Sequence, residues 1–318
     1  MLPDLLLVAA GLAALTAGGE ALIRGALALA ARWGLSPLLC GLLIVGFGTS
    51  APELAVSLDA ALRDQPDIAL GNVVGSNIGN IGLILALCAL ISPLAVAPQA
   101  LRRDGRVMLG GAALLFALAA DGQLGRLDAA LLLGTLISYL VWAYLAERRQ
   151  PDAEGTRLEQ EAGAVHARPA GLGPALLATL GGLGLLIVGS RLLLAGAVDI
   201  ATALGLPESV IGLTLVAVGT SLPELSVSLM AALRRQADVA VGNVLGSNIF
   251  NALGILGVSA AIQPLPVAAR IGSVDLYVML GASALLLVLL TTGRRLARGE
   301  GALLLAGYAL YLGLSLVA

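Results

Sequence analysis

The stretch GTSAPELAVSL runs from Gly48 to Leu58, and GTSLPELSVSL runs from Gly219 to Leu229. A second pair follows each: GNVVGSNIGN at Gly71–Asn80 and GNVLGSNIFN at Gly242–Asn251. Both pairs are separated by the same 171 residues, with no gap between the blocks. The same offset relates Gly25 to Gly196, Gly34 to Gly205, Gly41 to Gly212 and Pro93 to Pro264. A constant offset over that much sequence marks an internal duplication.

The surroundings of these blocks are apolar. Of the 318 residues, 58% are hydrophobic and 12% charged, against about half and a quarter in soluble domains. Ten apolar segments are expected, at 3–31, 36–62, 68–92, 104–121, 127–146, 173–203, 207–233, 239–262, 274–292 and 300–317. Most are long enough to cross a bilayer. The opening MLPDLLLVAAGL has no basic n-region and carries Asp4, so it reads as the first span and not as a signal peptide. One polar stretch interrupts the pattern, from Glu147 to Pro169, with mixed charge, Gly and Pro. It reads as a linker.

The expected fold is an all-α integral membrane protein of ten transmembrane helices. Residues 1–146 form the first five-helix repeat, 147–171 a cytoplasmic linker and 172–318 the second repeat. Five crossings are an odd number, so the second repeat enters from the opposite side. Such inverted-topology repeats are typical of secondary transporters. Arginine sets the orientation, since basic residues favour cytoplasmic loops. One face collects 13 arginines, among them Arg102, Arg103, Arg234 and Arg235; the other has Arg63, Arg126 and Arg270. Both termini are then expected outside.

Each repeat places one glutamate, Glu53 or Glu224, inside an apolar span. A charge at the bilayer centre costs about 3 kcal/mol on insertion scales. No arginine stands at comparable depth in the neighbouring motifs, so a cation or a proton is the simplest partner. Capping of freed backbone amides by neutral glutamates is the structural alternative. The Gly-Thr-Ser-x-Pro-Glu core should break helices 2 and 7, because proline removes a donor and clashes with the preceding turn. Broken helices at membrane depth line polar cavities and free carbonyl oxygens. Thr49 and Glu53 stand at i and i+4, on one helical face with Ser50 beside it. Ser76 with Asn80, and Ser247 with Asn251, share faces in the same way and read as site lining. Asn72, Asn77, Asn243 and Asn248 read equally well as lining or as hydrogen bonds between helices.

These groups are carboxylate, hydroxyl, amide and carbonyl oxygens. Calcium takes 6–8 such oxygens in flexible geometry. Two glutamates would balance one Ca²⁺ or two Na⁺. Zinc, copper or iron would call for His or Cys. The single histidine, His166, is in the linker, and Cys40 and Cys88 read as small core residues. An intramembrane hydrolase lacks its His, and a passive channel does not need inverted repeats. No basic patch points to nucleic acid, no cofactor is expected, and the chain is not read as an enzyme.

The two block pairs, GTSAPE with GNVVGSNIGN and GTSLPE with GNVLGSNIFN, resemble the paired α-repeats of sodium/calcium exchangers, over 46–80 and 217–251. The short linker resembles that of prokaryotic members. The resemblance implies antiport of Na⁺ against Ca²⁺ across the cytoplasmic membrane by alternating access; Ca²⁺, Na⁺ and membrane lipid are the expected partners, with a monomer as the expected form. An antiporter of the same fold using H⁺ or K⁺ is the alternative. Residue by residue, it implies Glu53 and Glu224 as shared ligands, and Thr49 and Thr220 around the central Ca²⁺. Ser50, Ser76, Ser221 and Ser247, with the carbonyls of Gly46 and Ala217, would line flanking Na⁺ sites. Asn80 and Asn251 would sit at the centre. Members often have Asp at one of these two positions, which puts a three-to-one stoichiometry in question here. Other charges in spans are Glu20, expected to pair with Arg24 or with its repeat equivalent Arg191, and Asp59, expected at a solvated helix end.

Overall fold

A computed structural model describes residues 2–96, 98, 100–148, 171–204 and 219–317. Most of the expected linker, with His166, and the first part of the seventh segment, with Ala217, lie outside the described residues.

Helix α1 spans Leu2–Trp33. The second segment is two helices, α2 (Pro37–Thr49) and α3 (Ala51–Leu62), bent by 43°. Then follow α4 (Pro66–Ile91), α5 (Arg106–Leu118) and α6 (Arg126–Arg148). The second half has α7 (Leu172–Ala203), α8 (Leu222–Leu233), α9 (Ala237–Ile262) and α10 (Ile271–Gly293). It ends with α11 (Arg298–Val317). Six described helices are long and apolar enough to cross a membrane, and seven when α2 with α3 counts as one broken span. The helices α5, α8 and α11 occupy the remaining expected segments.

The helical expectation holds, with one addition. Two short antiparallel ladders tie the halves together. β1 (Leu94–Ala95) pairs with β4 (Arg295–Leu296), and β2 (Gln123–Leu124) pairs with β3 (Leu265–Pro266). Two-residue strands carry no detectable period, and their partners lie in the other half of the chain, so local pattern could not reveal them.

The apolar stretches of α4 and α9 are 72% and 78% buried, whereas those of α1, α6, α7 and α10 are 28–33% buried. The two GN-x-x-GSN helices are therefore the centre, and the others present leucines outward. Leu127, Leu177 and Leu180 are exposed, as expected for side chains whose surroundings are lipid tails.

Small residues set the closest contacts, as usual where apolar surface gains nothing by leaving lipid. Helices α1 and α7 cross through Gly11, Gly18 and Gly25 on one side and Gly182, Gly189 and Gly196 on the other. The six are 171-residue equivalents at seven-residue spacing. A Cβ on Gly18 would lie 2.8 Å from the Gly182 carbonyl oxygen, and one on Gly25 would lie 2.5 Å from Thr179 N.

The charge expectations divide. Glu20 forms ion pairs with Arg24 and with Arg234 at the end of α8. The pairing with Arg191 is not made, because Glu20 faces α8 instead. Asp59 pairs with Arg63 at 2.8 Å on an exposed helix end. Arg103, expected in a cytoplasmic loop, is buried and bonded to Asp104 at 2.6 Å. Asp104 also accepts a hydrogen bond from Tyr139 Oη at 2.8 Å, and Asp275 accepts one from Tyr311 Oη at 3.0 Å. These aspartates are 171-residue equivalents, and no motif around them marks the pairing in the sequence.

Gly18→Val should destabilise the protein by about 1–3 kcal/mol, the usual cost of overpacking. Gly181→Ala, whose added Cβ meets nothing within 4 Å, should be neutral. Thermal unfolding in detergent checks both.

Candidate cation site

The break between α2 and α3 follows from Pro52. Proline at the second position of a helix loses no bond, because its missing N–H is one of the unpaired amides there. Before it, Ser50 N still donates to Gly46 O at 3.2 Å; after it, Leu54 N donates to Ser50 O at 3.0 Å. The chain turns at Ser50 and restarts at Ala51. Pro223 stands at the same place in α8, behind Ser221.

Glu53 and Glu224 therefore lie in the first turn of their helices. The positive end of the helix dipole favours a carboxylate there. The break also modifies the expectation that Thr49 and Glu53 share a face, since the bend falls between them. Thr49 instead lies 3.3 Å from Gly46 O and 3.2 Å from Asn243 Oδ1, and its one proton serves either.

The two halves interlock at their glutamates. Ser50 Oγ donates to Glu224 Oε1 at 3.0 Å, and Ser221 Oγ donates to Glu53 Oε1 at 3.1 Å. Each serine serves the carboxylate of the other half. Ser221 Oγ is also 3.4 Å from Ser76 Oγ, and Ser247 Oγ donates to Gly46 O at 3.1 Å. Backbone contact makes the last bond, since a Cβ on Gly46 would lie 3.0 Å from Ser247 N. Glu53 and Glu224 are both fully buried.

The asparagines divide into two groups. Asn72 Nδ2 donates to Glu53 O at 3.1 Å and to Ser57 Oγ at 2.9 Å. Asn243 Nδ2 does the same with Glu224 O at 3.3 Å and Ser228 Oγ at 2.8 Å. Each thus braces a broken helix. Asn77 Nδ2 donates to Asn248 O at 3.2 Å and Asn248 Nδ2 to Asn77 O at 3.3 Å, a reciprocal clasp between α4 and α9. For these four, the bonds between helices are what the structure displays. Asn80 Nδ2 donates to Asn248 Oδ1 at 2.9 Å, which leaves its own oxygen free to turn inward.

Several buried atoms have no hydrogen-bond partner among the described residues. Those of the candidate site residues and their neighbours are Glu53 Oε2, Glu224 Oε2, Asn80 Oδ1, Thr220 Oγ1, Asn77 Oδ1 and both polar atoms of Asn251; Gln236 Oε1, Ser259 Oγ and Ser315 Oγ are unpaired elsewhere. Buried polar groups are nearly always paired, and exceptions call for a reason. All but one of the atoms at the site are oxygens, and no arginine pairs with either glutamate among the described residues. Nor do those residues include a cluster of three or more His, Cys, Asp and Glu side chains. Such a donor set suits a hard cation and no soft one.

Carboxylates from both halves, buried among apolar helices with inward oxygens unpaired, define a membrane cation antiporter. The family described as "Sodium/calcium exchanger protein" matches residues 4–145 and 174–317, and the chain belongs to it. It is 39% identical to the putative antiporter CaxA of Alkalimonas amylolytica, with 98% of each chain covered. It is 33% identical to the sodium/calcium exchanger MaX1 of Methanosarcina acetivorans, with 97% of each covered. Its structure matches that of the sodium-calcium exchanger NCX_Mj with a TM-score of 0.84 at 32% identity, over 98% of each chain. Members of the family are transporters and not enzymes.

Asn248→Ala should cost about 1–3 kcal/mol, because it leaves the buried Asn80 side-chain amide without its acceptor and removes the bond from Asn248 Nδ2 to the Asn77 carbonyl. Denaturation in detergent without Na⁺ or Ca²⁺ checks this, since a residue that acted only as an ion ligand would show no loss there.

Proposed function

We propose that the protein exchanges Na⁺ for Ca²⁺ across the cytoplasmic membrane of its cell by alternating access. The observation that carries this reading is the reciprocal pairing of Ser50 with Glu224 and Ser221 with Glu53. It draws one carboxylate from each half to a shared centre while leaving one oxygen of each unpaired. Two such charges match one Ca²⁺ or two Na⁺, so the two ions compete for the same anions. Occupancy by one excludes the other, which is the condition for exchange.

In this reading Glu53 and Glu224, with Thr49 and Thr220, hold Ca²⁺, and Asn80 and Asn251 stand beside it as neutral oxygens. Ser50, Ser76, Ser221 and Ser247 hold Na⁺ with the carbonyls of Gly46 and Ala217. Ten helices cross as two inverted repeats, 1–146 and 172–318, with the 147–171 linker cytoplasmic and both termini outside. The chain works as a monomer in lipid. The relatives named as sodium/calcium exchangers support the choice of ions, and the equivalence of contacts 171 residues apart supports the inverted arrangement.

In proteoliposomes loaded with Na⁺, an outward Na⁺ gradient should drive ⁴⁵Ca²⁺ uptake, and Glu53→Gln or Glu224→Gln should reduce it to background. Uptake unchanged when choline replaces Na⁺ would sink the sodium coupling. Uptake driven instead by a pH or K⁺ gradient would assign the coupling to H⁺ or K⁺.

A further inference from the structure

The two serine pairs beside the glutamates have different surroundings. Ser76 and Ser221 open onto a void of about 20 Å³, also lined by Gly75, Gly79 and Tyr308 of α11. That is room for about one water, which needs at least 10–15 Å³. The Tyr308 hydroxyl has no hydrogen-bond partner among the described residues. From the void, Ser76 leads to Ser221 at 3.4 Å and Ser221 to Glu53 at 3.1 Å.

The equivalent space in the other half is filled. Phe250 stands where the first half has Gly79, and its ring stacks on Phe47 with centroids 4.4 Å apart. The position on α6 that corresponds to Tyr308, in the register of the Tyr139 and Tyr311 pair, is Leu136. Leu136 packs, like Phe250, around Gly254. One flanking site therefore has a void beside a hydroxyl, and the other has an aromatic wall.

We propose that Tyr308 is a specificity-determining residue, holding one water in the Ser76–Ser221 pocket that completes the coordination of a monovalent cation bound there with Glu53. The inference rests on the reading of Ser76 and Ser221 as Na⁺ ligands. Tyr308→Phe removes the hydroxyl and keeps the ring. Gly79→Ala narrows the void with a methyl 3.6 Å from Tyr308 Oη, an ordinary contact distance, so the fold should tolerate it.

The test titrates purified protein with NaCl against choline chloride and reads thermal stabilisation, which needs no transport. Both variants should raise the half-saturating Na⁺ concentration by about five-fold, the equivalent of one hydrogen bond, and leave half-saturating Ca²⁺ unchanged. Unchanged Na⁺ dependence in both variants, parallel loss of Ca²⁺ and Na⁺ binding, or no saturable Na⁺ effect in the wild type would overturn the inference. Failure of Na⁺-driven uptake with the binding pattern intact would count against the exchange reading alone.

A separate observation concerns the ion pair between α1 and α8. Glu20 on α1 pairs with Arg234 at the end of α8. The 171-residue equivalent of Glu20 is Arg191 on α7, and that of Arg234 is Arg63 at the end of α3. If the opposite state arises by exchange of the two halves' conformations, Arg191 moves toward Arg63, and like charges would meet. The end of α3, however, carries Asp59 and Asp64 where α8 has Met230 and Arg235. The sign is inverted from Glu20 to Arg191; Arg63 keeps the sign of Arg234, but the two aspartates beside it make the end of α3 net acidic where the end of α8, with Arg234 and Arg235, is basic. Among the described residues Arg191 is exposed and without an ion-pair partner, while Asp59 is held by Arg63.

The geometry points to two alternating latches, Glu20 with Arg234 in this state and Arg191 with Asp59 in the opposite one. This rests on alternating access but not on the coupling ion, so Ca²⁺ self-exchange in proteoliposomes tests it. Glu20→Gln and Arg191→Gln should shift the ratio of apparent Ca²⁺ affinities at the two faces in opposite directions, by about two- to five-fold each. The double variant should return toward the wild-type ratio. Shifts in the same direction, or none, would overturn the latches, whereas a wild type without Ca²⁺ self-exchange would overturn the transport reading itself.

Discussion

Two carboxylates buried together are the constraint on which the rest of the structure depends. Neither Glu53 nor Glu224 has a cationic side chain beside it among the described residues, and both are removed from water. Burial of an isolated charge is too costly to persist without compensation. The compensation has three sources here. A helix N-terminus stands at each glutamate, a serine of the opposite half donates to each, and the remaining oxygen of each is free for a cation. Remove the helix breaks, and the first source disappears.

That need explains the unusual central helices. A half-helix can begin at membrane depth only if its first amides and the carbonyls before the break are satisfied or exposed to a polar cavity. Asn72 and Asn243 brace the backbone at the glutamates, and Asn77 with Asn248 fixes the neighbouring helices. The close approach of α2 to α9 requires glycine at positions 41, 242 and 246, where a Cβ would lie under 3.0 Å from backbone, and a small residue at 46. Glycine and asparagine thus serve one end, a polar centre inside an apolar body.

Helices α1 and α7 form the second packing unit. Their contact runs through equivalent glycines at seven-residue spacing and leaves each helix with a broad lipid-facing side. Van der Waals contact between smooth surfaces holds them to one another, while a half-exposed ion pair joins α1 to α8. Contact of that kind, with few polar bonds to the core, suits elements that must change position. The tightly bonded centre around α4 and α9 suits elements that must not.

The sequence by itself determined the duplication, the helical membrane class, the broken second helix and the glutamates, because each leaves a local or periodic mark. Repeats keep their offset, spans keep their length, and proline with glycine interrupts a helix wherever it stands. Even the donor chemistry was legible, since the motifs contain oxygen ligands and no nitrogen or sulfur ones. Tertiary structure alone decided which asparagines clasp helices, which serine serves which carboxylate, and that Arg103 and Asp104 are buried. It also decided the two short ladders and the unequal surroundings of the two serine pairs. These depend on partners in other helices, 35 residues away for Asp104 and Tyr139 and 174 for Ser50 and Glu224, or on the size of a space between helices. A one-dimensional pattern records what each residue is able to offer; only packing selects the atom that receives it.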